Sequence, residues 1–146
     1  MPAERMQDDG DALTYRGECL CGGVRYVLQG APRQTRLCHC HQCRSGTGAA
    51  FNVSVPVDEA AVDFEARDTI REYESSPGKF RAFCDTCGAA VYSRRTSRPG
   101  NLRLRGGLIR DLPRAQDLRH IFWKDRWPWI DTIDKAPKSP AEELAA

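Results

Sequence analysis

The chain has 146 residues, which suits one domain able to bury a real core. Hydrophobic residues make up 40% and charged residues 29%, with a net charge of +2, which excludes disordered, collagen-like and strongly polycationic classes. No run approaches the ~18 apolar residues of a membrane helix, and the N-terminal MPAERMQDDGD is polar and acidic, unlike a secretory signal. These features predict a cytoplasmic protein without a membrane partner, in a compartment where cysteines stay thiols.

Residues 1–13 read as a flexible N-terminal tail. The period-two pattern then begins. In VRYVLQ (24–29), Val24, Tyr26 and Leu28 alternate with Arg25, Val27 and Gln29. After LCHCHQCRSGTG (37–48), with a short helix expected near 41–45, FNVSVPV (51–57) places Phe51, Val53, Val55 and Val57 on one face. DEAAVDF (58–64) is a second helix candidate of one or two turns. SSPGK marks a turn before KFRAFC (79–84), AVYSR (90–94) follows a cysteine pair, and NLRLRGG (101–107) puts Leu102 and Leu104 inward with Arg103 and Arg105 outward. LRHIFW (118–123) is a further strand, with His120 as a satisfied strand histidine. Trp123, Trp127 and Trp129 are expected to close over the end of a sheet, and Pro128 keeps their segment extended. Residues 134–146 read as a second flexible tail, leaving one domain over 14–133. Short alternating segments bounded by Gly, Pro, Asn and Ser predict an all-β fold. Its exposed edge strands admit a homodimer.

Charge is uneven. Residues 94–126 hold ten Lys and Arg against three Asp, a net of +7. This predicts a basic face: a solvated surface balanced by acids elsewhere, or a site for an anionic ligand. No aromatic-interleaved or DNA-reading motif accompanies it, which argues against nucleic acid.

The seven cysteines stand at 19, 21, 38, 40, 43, 84 and 87. An odd count without a secretory signal argues against a disulfide framework. Cys84-x-x-Cys87-Gly is a zinc knuckle, a tight turn that aims two thiolates at one point. A structural zinc takes four ligands. Cys19 and Cys21, beside a Gly-Gly turn, form a second half-clamp, so Cys19, Cys21, Cys84 and Cys87 are assigned to one closed site. A thioredoxin-like redox pair at Cys84 and Cys87 would need a βαβ context, which is missing.

Cys38, Cys40 and Cys43 remain, on one short loop. Three thiolates can clamp a metal from one side and leave a position open, the catalytic design. Alternatively His39, His41 or His120 fills the fourth place, or the loop is a metal-free thiol cluster. His39 lies between two ligating cysteines, so its side chain is expected to point away from the metal, toward hydrogen bonding or substrate. Arg44 and SGTG would supply a cation and backbone N–H groups for an anionic substrate.

Cys-x-Cys-Gly-Gly-Val, then Cys-His-Cys-x-x-Cys-Arg, then Phe-Cys-x-x-Cys-Gly resemble the glutathione-dependent formaldehyde-activating enzyme family, also called the GFA or centromere-protein-V family. RHIFWKDRWPWI resembles it as well, and the likeness runs over about 15–133. The resemblance implies a tent-shaped β architecture of packed antiparallel sheets with zinc-clamped hairpins. It implies a structural zinc at Cys19, Cys21, Cys84 and Cys87 and a second zinc, where chemistry is placed, at Cys38, Cys40 and Cys43. The implied activity joins glutathione, as thiol co-substrate, to formaldehyde, a carbon–sulfur lyase reaction run in reverse. In that scheme a zinc-activated thiolate adds to a small aldehyde, His39 or water is the proton donor, and Arg44 with the Arg-rich stretch holds the carboxylates of the thiol. Two other classes stay open: a non-catalytic zinc-stabilised binding module, and a thiol or metal sensor.

Overall fold

The computed structural model describes residues 13–112 and 115–142. Ten strands dominate it: β1 (Thr14–Glu18), β2 (Arg25–Gln29), β3 (Thr35–Cys38), β4 (Asn52–Asp58), β5 (Val62–Ala66), β6 (Ile70–Ser76), β7 (Lys79–Cys84), β8 (Ala90–Arg95), β9 (Asn101–Arg105) and β10 (Leu118–Ile121). One α-helix, α1 (His41–Thr47), joins β3 to β4. The strands form a three-stranded sheet in the order β1-β2-β5 and a seven-stranded sheet in the order β10-β3-β4-β9-β8-β7-β6. The all-β expectation holds. The pairing is antiparallel except at one edge, where β10 runs parallel to β3. The parallel pair is possible because a long connection brings β10 back to the edge of β3 after β9.

The two sheets share one core. Tyr15, Val24, Tyr26, Leu28 and Val62 from the small sheet meet Val55, Ala82, Tyr92, Leu102 and Leu104 from the large one, all buried. The alternation read in 24–29 is therefore a true in–out pattern, with Tyr26 and Leu28 buried between exposed Arg25 and Gln29. Burying such a side chain contributes about 1.5–3 kcal/mol, so these positions fix the register of β2.

Three expectations are corrected. Residues 58–64 do not form a helix beyond a 3-10 turn (Glu59–Ala61). Val62 and Phe64 then alternate with Asp63 and Glu65 in β5, against Tyr26 and Leu28 of β2. Period two wins because β2 offers an apolar face to cover. Arg105 does not point into solvent, being only 5% exposed, and Arg103 is half-buried. Trp123, Trp127 and Trp129 are not core residues but remain 38%, 42% and 49% exposed. They lie in the segment after β10, where 3-10 turns (Trp123–Asp125, Ile130–Lys135) bury only Ile130.

Residues 1–12 and 143–146 of the expected tails lie outside the described residues. Among the described residues no helix is long and apolar enough to cross a membrane.

The two faces of the large sheet differ. On β9, Leu102 and Leu104 face the core while Arg103 and Arg105 face the other way. Cross-strand partners share a face, so Ser54, Ser93 and Arg81 join the arginine face through the pairs Ser54–Arg105, Ser93–Arg103 and Arg81–Ser93. Lys79, opposite Arg95, is on it too. Strand β4 is thus covered on both sides: Asn52 and Ser54 are as buried as Val55.

Candidate metal centres

The seven cysteines gather into two groups. In each, the sulfur atoms lie within 4.8 Å of one another.

The first group is built from two hairpin turns. Cys19 and Cys21 sit in the β1–β2 turn, and Cys84 and Cys87 in the β7–β8 turn, so the cluster ties the small sheet to the large one. Cys19 Sγ to Cys21 Sγ and Cys21 Sγ to Cys84 Sγ are both 3.7 Å. A tetrahedron with Zn–S bonds of about 2.3 Å has edges of about 3.8 Å, so these sulfurs fit zinc. Backbone amides turn inward on them: Val24 N donates to Cys19 Sγ at 3.2 Å and Gly23 N to Cys21 Sγ at 3.4 Å. A Cβ at Gly23 would stand 3.0 Å from Thr69 Oγ1 and 3.3 Å from the Cys21 sulfur, so a larger residue there would push on both. Gly88, after Cys87, has φ +78°, which an L side chain rarely adopts. Hydrogen bonding from Thr69 Oγ1, at 3.3 Å, leads the causes that bring the Cys84 thiol down to about 6.

The second group spans a strand end and a helix start. Cys38 ends β3, Cys40 is the N-cap of α1, and Cys43 lies in the first turn. The Cys40 sulfur replaces the usual capping oxygen, accepting from Cys43 N at 3.4 Å. This cap brings Cys40 and Cys43 onto one side of the turn. Asn52 Nδ2 is 4.0 Å and Arg81 Nη1 3.9 Å from Cys43 Sγ. Hydrogen bonding from Cys38 and Cys40, followed by Arg81, brings the Cys43 thiol down to about 4. The hydrogen bond to Cys43 and burial push Cys38 up. The three sulfurs fit three corners of a zinc tetrahedron, and no His, Asp or Glu completes the group among the described residues.

The three histidines settle elsewhere. His41 is exposed on α1. His39 is fully buried, its Nε2 2.8 Å from Nδ1 of His120, with one ring donating to the other. Phe51 and Trp123 pack on the His39 ring at 5.2 and 5.1 Å, and its Nδ1 has no hydrogen-bond partner. Burial, then the positive surroundings of His120, Arg126 and Arg44, lower the His39 pKa and keep the imidazole neutral at pH 7. The expectation that its side chain turns from the sulfurs agrees with this placement. His120 is indeed a strand histidine, with His39 as its partner.

Arg44 donates from Nε to the His39 carbonyl at 3.2 Å and stacks 4.4 Å over the Trp127 ring, tying α1 to the C-terminal segment. The SGTG run is the end of α1, closed by Gly48 N donating to the Arg44 carbonyl. The guanidinium that touches a sulfur belongs instead to Arg81, which sequence reasoning missed. Its signal was its place in KFRAFC, on the face opposite Phe80 and Ala82.

Arg81 also reports the place of α1. Strands β3 and β7 stand four places apart in the sheet order, about 19 Å in a flat sheet, further than an arginine reaches. Yet Arg81 spans from β7 to Gln42 at 3.3 Å and to Cys43 on α1. Helix α1 therefore lies over the arginine face of the sheet, with Cys43 above Asn52 of β4 and Gly46 beside Arg81.

The model of the glutathione-dependent formaldehyde-activating enzyme family matches residues 14–125. The chain belongs to this family. A crystal structure of a Rhodobacter sphaeroides protein is similar in fold, with a TM-score of 0.55 and 21% identity, covering 71% of this chain and 99% of that one. Among curated proteins no match is found. The matched span takes in both cysteine clusters of this GFA-family chain and the His39–His120 pair, while Trp127 and Trp129 fall beyond it.

Proposed function

We propose that the chain is a zinc-dependent enzyme that joins a thiol to a small aldehyde, a carbon–sulfur lyase in the reverse direction, with glutathione or a similar thiol as co-substrate. The observation that carries this reading is the three-sulfur group at Cys38, Cys40 and Cys43, which has no fourth protein ligand among the described residues and lies beside the Arg81 guanidinium. A zinc held there would lower the pKa of a bound thiol and supply thiolate near neutral pH.

The residues around it take defined parts. Cys38 and Cys43 are buried, so the group opens on the half-buried Cys40 side. Arg81, in contact with Cys43, and Arg44, next to Cys43 in sequence, supply positive charge for the carboxylates of the thiol. As the C–S bond forms, the carbonyl oxygen takes a proton from water or through the His39–His120 pair, whose exposed member faces solvent. Proximity of the two reactants supplies much of the gain. Cys19, Cys21, Cys84 and Cys87 hold the sheets together and take no part in the reaction.

The test is the rate of adduct formation from glutathione and 13C-formaldehyde, followed by NMR against the uncatalysed background. Wild type should exceed the background, and Cys40→Ser should fall to it with the fold intact. Full activity in Cys40→Ser would refute the proposal. Exposed Phe122, Trp127 and Trp129 favour a second reading, a zinc-stabilised binding module without turnover. Wild-type rates equal to background would support it.

A further inference from the structure

The arginine face of the seven-stranded sheet, with the β8–β9 turn, holds charge that nothing in the fold requires. Lys79, Arg81, Arg95, Arg98, Arg103 and Arg105 are six cations, and among the described residues none of them is in an ion pair. The opposite face treats its arginine differently: Arg94 is bonded to Glu72 through two nitrogens, at 2.8 and 2.6 Å.

Two of the six cations are buried, Arg105 at 5% exposure and Lys79 at 9%. A buried charge without a counter-charge is costly. Arg105 Nε and the neighbouring Ser54 Oγ have no hydrogen-bond partner at all. Burial, then Arg95, Arg81 and Arg103, bring the Lys79 ammonium down to about 8. A cavity of about 360 Å³ opens on this face, lined by four of the six cations, Lys79, Arg95, Arg98 and Arg103, and by Ser93 among others. Ser93 sits in its floor, 2% exposed.

We infer that this cavity is a binding site for a small, multiply charged anion of the phosphate type, either free phosphate or the phosphate of an ester. Four cations line it without a carboxylate partner, and planar guanidinium groups suit the oxygens of a phosphate. Four lining cations exceed the single net negative charge of glutathione, so a carboxylate thiol does not account for them. The cavity is concave and small, which suits a metabolite more than a nucleic-acid backbone. Arg81, on the same face of β7 as Lys79, reaches Cys43, so an ester bound by its phosphate would extend toward the three-cysteine group. That this ester is a substrate rests on the thiol-adduct reading; the anion site itself does not.

The probes are inorganic phosphate, pyrophosphate and glycerol phosphate, titrated by calorimetry into the zinc-loaded protein at low salt. Wild type should bind pyrophosphate at one site, with affinity falling as salt rises. Glycerol phosphate binding at least as tightly as inorganic phosphate assigns the site to an ester, and the reverse order assigns it to the free ion. Arg103→Met with Lys79→Met should weaken binding about tenfold or more, the loss of roughly one charged contact or more. Arg119→Met, at a surface ion pair on β10, should leave it unchanged. Replacing Cys38, Cys40 and Cys43 by Ser removes the thiol chemistry and should leave pyrophosphate binding intact, so a failed enzyme reading and a failed anion site are told apart. No binding to wild type, equal binding to the Lys79/Arg103 double variant, or displacement by equimolar glutathione would overturn the inference. So would a DNA duplex that binds and resists displacement by pyrophosphate.

Discussion

The two cysteine clusters use the same ligand and differ in what surrounds it. At Cys19, Cys21, Cys84 and Cys87 the sulfurs are met by backbone amides and a threonine hydroxyl, all neutral, and four of them complete a tetrahedron. At Cys38, Cys40 and Cys43 there are three sulfurs, one of them spent on capping a helix, and the nearest cation is a guanidinium from four strands away. The first cluster fastens two hairpins and is closed. The second has three sulfurs, no fourth protein ligand among the described residues, and a guanidinium beside it. One metal chemistry can thus serve cohesion or reaction, depending on ligand count and on the charges beside it.

That contrast can be broken at its strong end. Cys84→Ser removes one of four sulfurs, and a zinc held by them would contribute about 10–16 kcal/mol, as in small zinc domains. Cooperative unfolding in urea, followed by circular dichroism, should be lost altogether. A variant that unfolds like wild type would mean that the four-cysteine group holds nothing together.

The open cluster should respond in function more than in stability. Arg81→Met leaves Cys43 without its nearest cation. Zinc affinity at the three-cysteine group, measured by competition with a chromogenic chelator, should fall about tenfold, the usual range for partners of a ligand. The melting temperature should move by only a few degrees.

The arginine face should show the reverse sign. Lys79→Met removes a buried ammonium crowded by arginines, and should stabilise the protein by about 1–3 kcal/mol in urea titration. A loss of stability would mean that the charge is satisfied within the fold.

The smallest effect belongs to the opposite face. Hydrogen bonding from Arg94, helped by Tyr92, holds the Glu72 carboxyl below its ordinary range. Its stabilisation is therefore complete above the unfolded value, about 4.3, and is lost as pH falls through the lower folded value. Both groups are partly exposed, so the contribution is about 1 kcal/mol or less. Wild type should lose that much more than Glu72→Gln between pH 7 and pH 3; equal losses would show that the pair contributes nothing.

The clusters were legible in the sequence because metal ligands come at short spacings with turn residues beside them, as in Cys84-x-x-Cys87-Gly. The core of β2 and β9 was legible because Tyr26, Leu28, Leu102 and Leu104 alternate strictly. The arginine face was not. Arg103 and Arg105 alternate with leucines just as solvent-facing arginines would, and period two cannot tell an open face from a covered one. Residues 58–64 misled for a related reason: Val62 and Phe64 fit a short helix until β2 supplies the strand that they cover. Arg81 could be placed on a face, but its contact with Cys43 depends on a helix 38 residues earlier lying over that face.

The most direct measurement is zinc per chain by elemental analysis, on wild type and on the Cys38→Ser, Cys40→Ser, Cys43→Ser variant, with unfolding followed in parallel. The account predicts about two zincs in wild type, and about one in a variant that still unfolds cooperatively. One zinc in both proteins, or a variant that loses both zincs and its fold, would contradict the division into one closed and one open site.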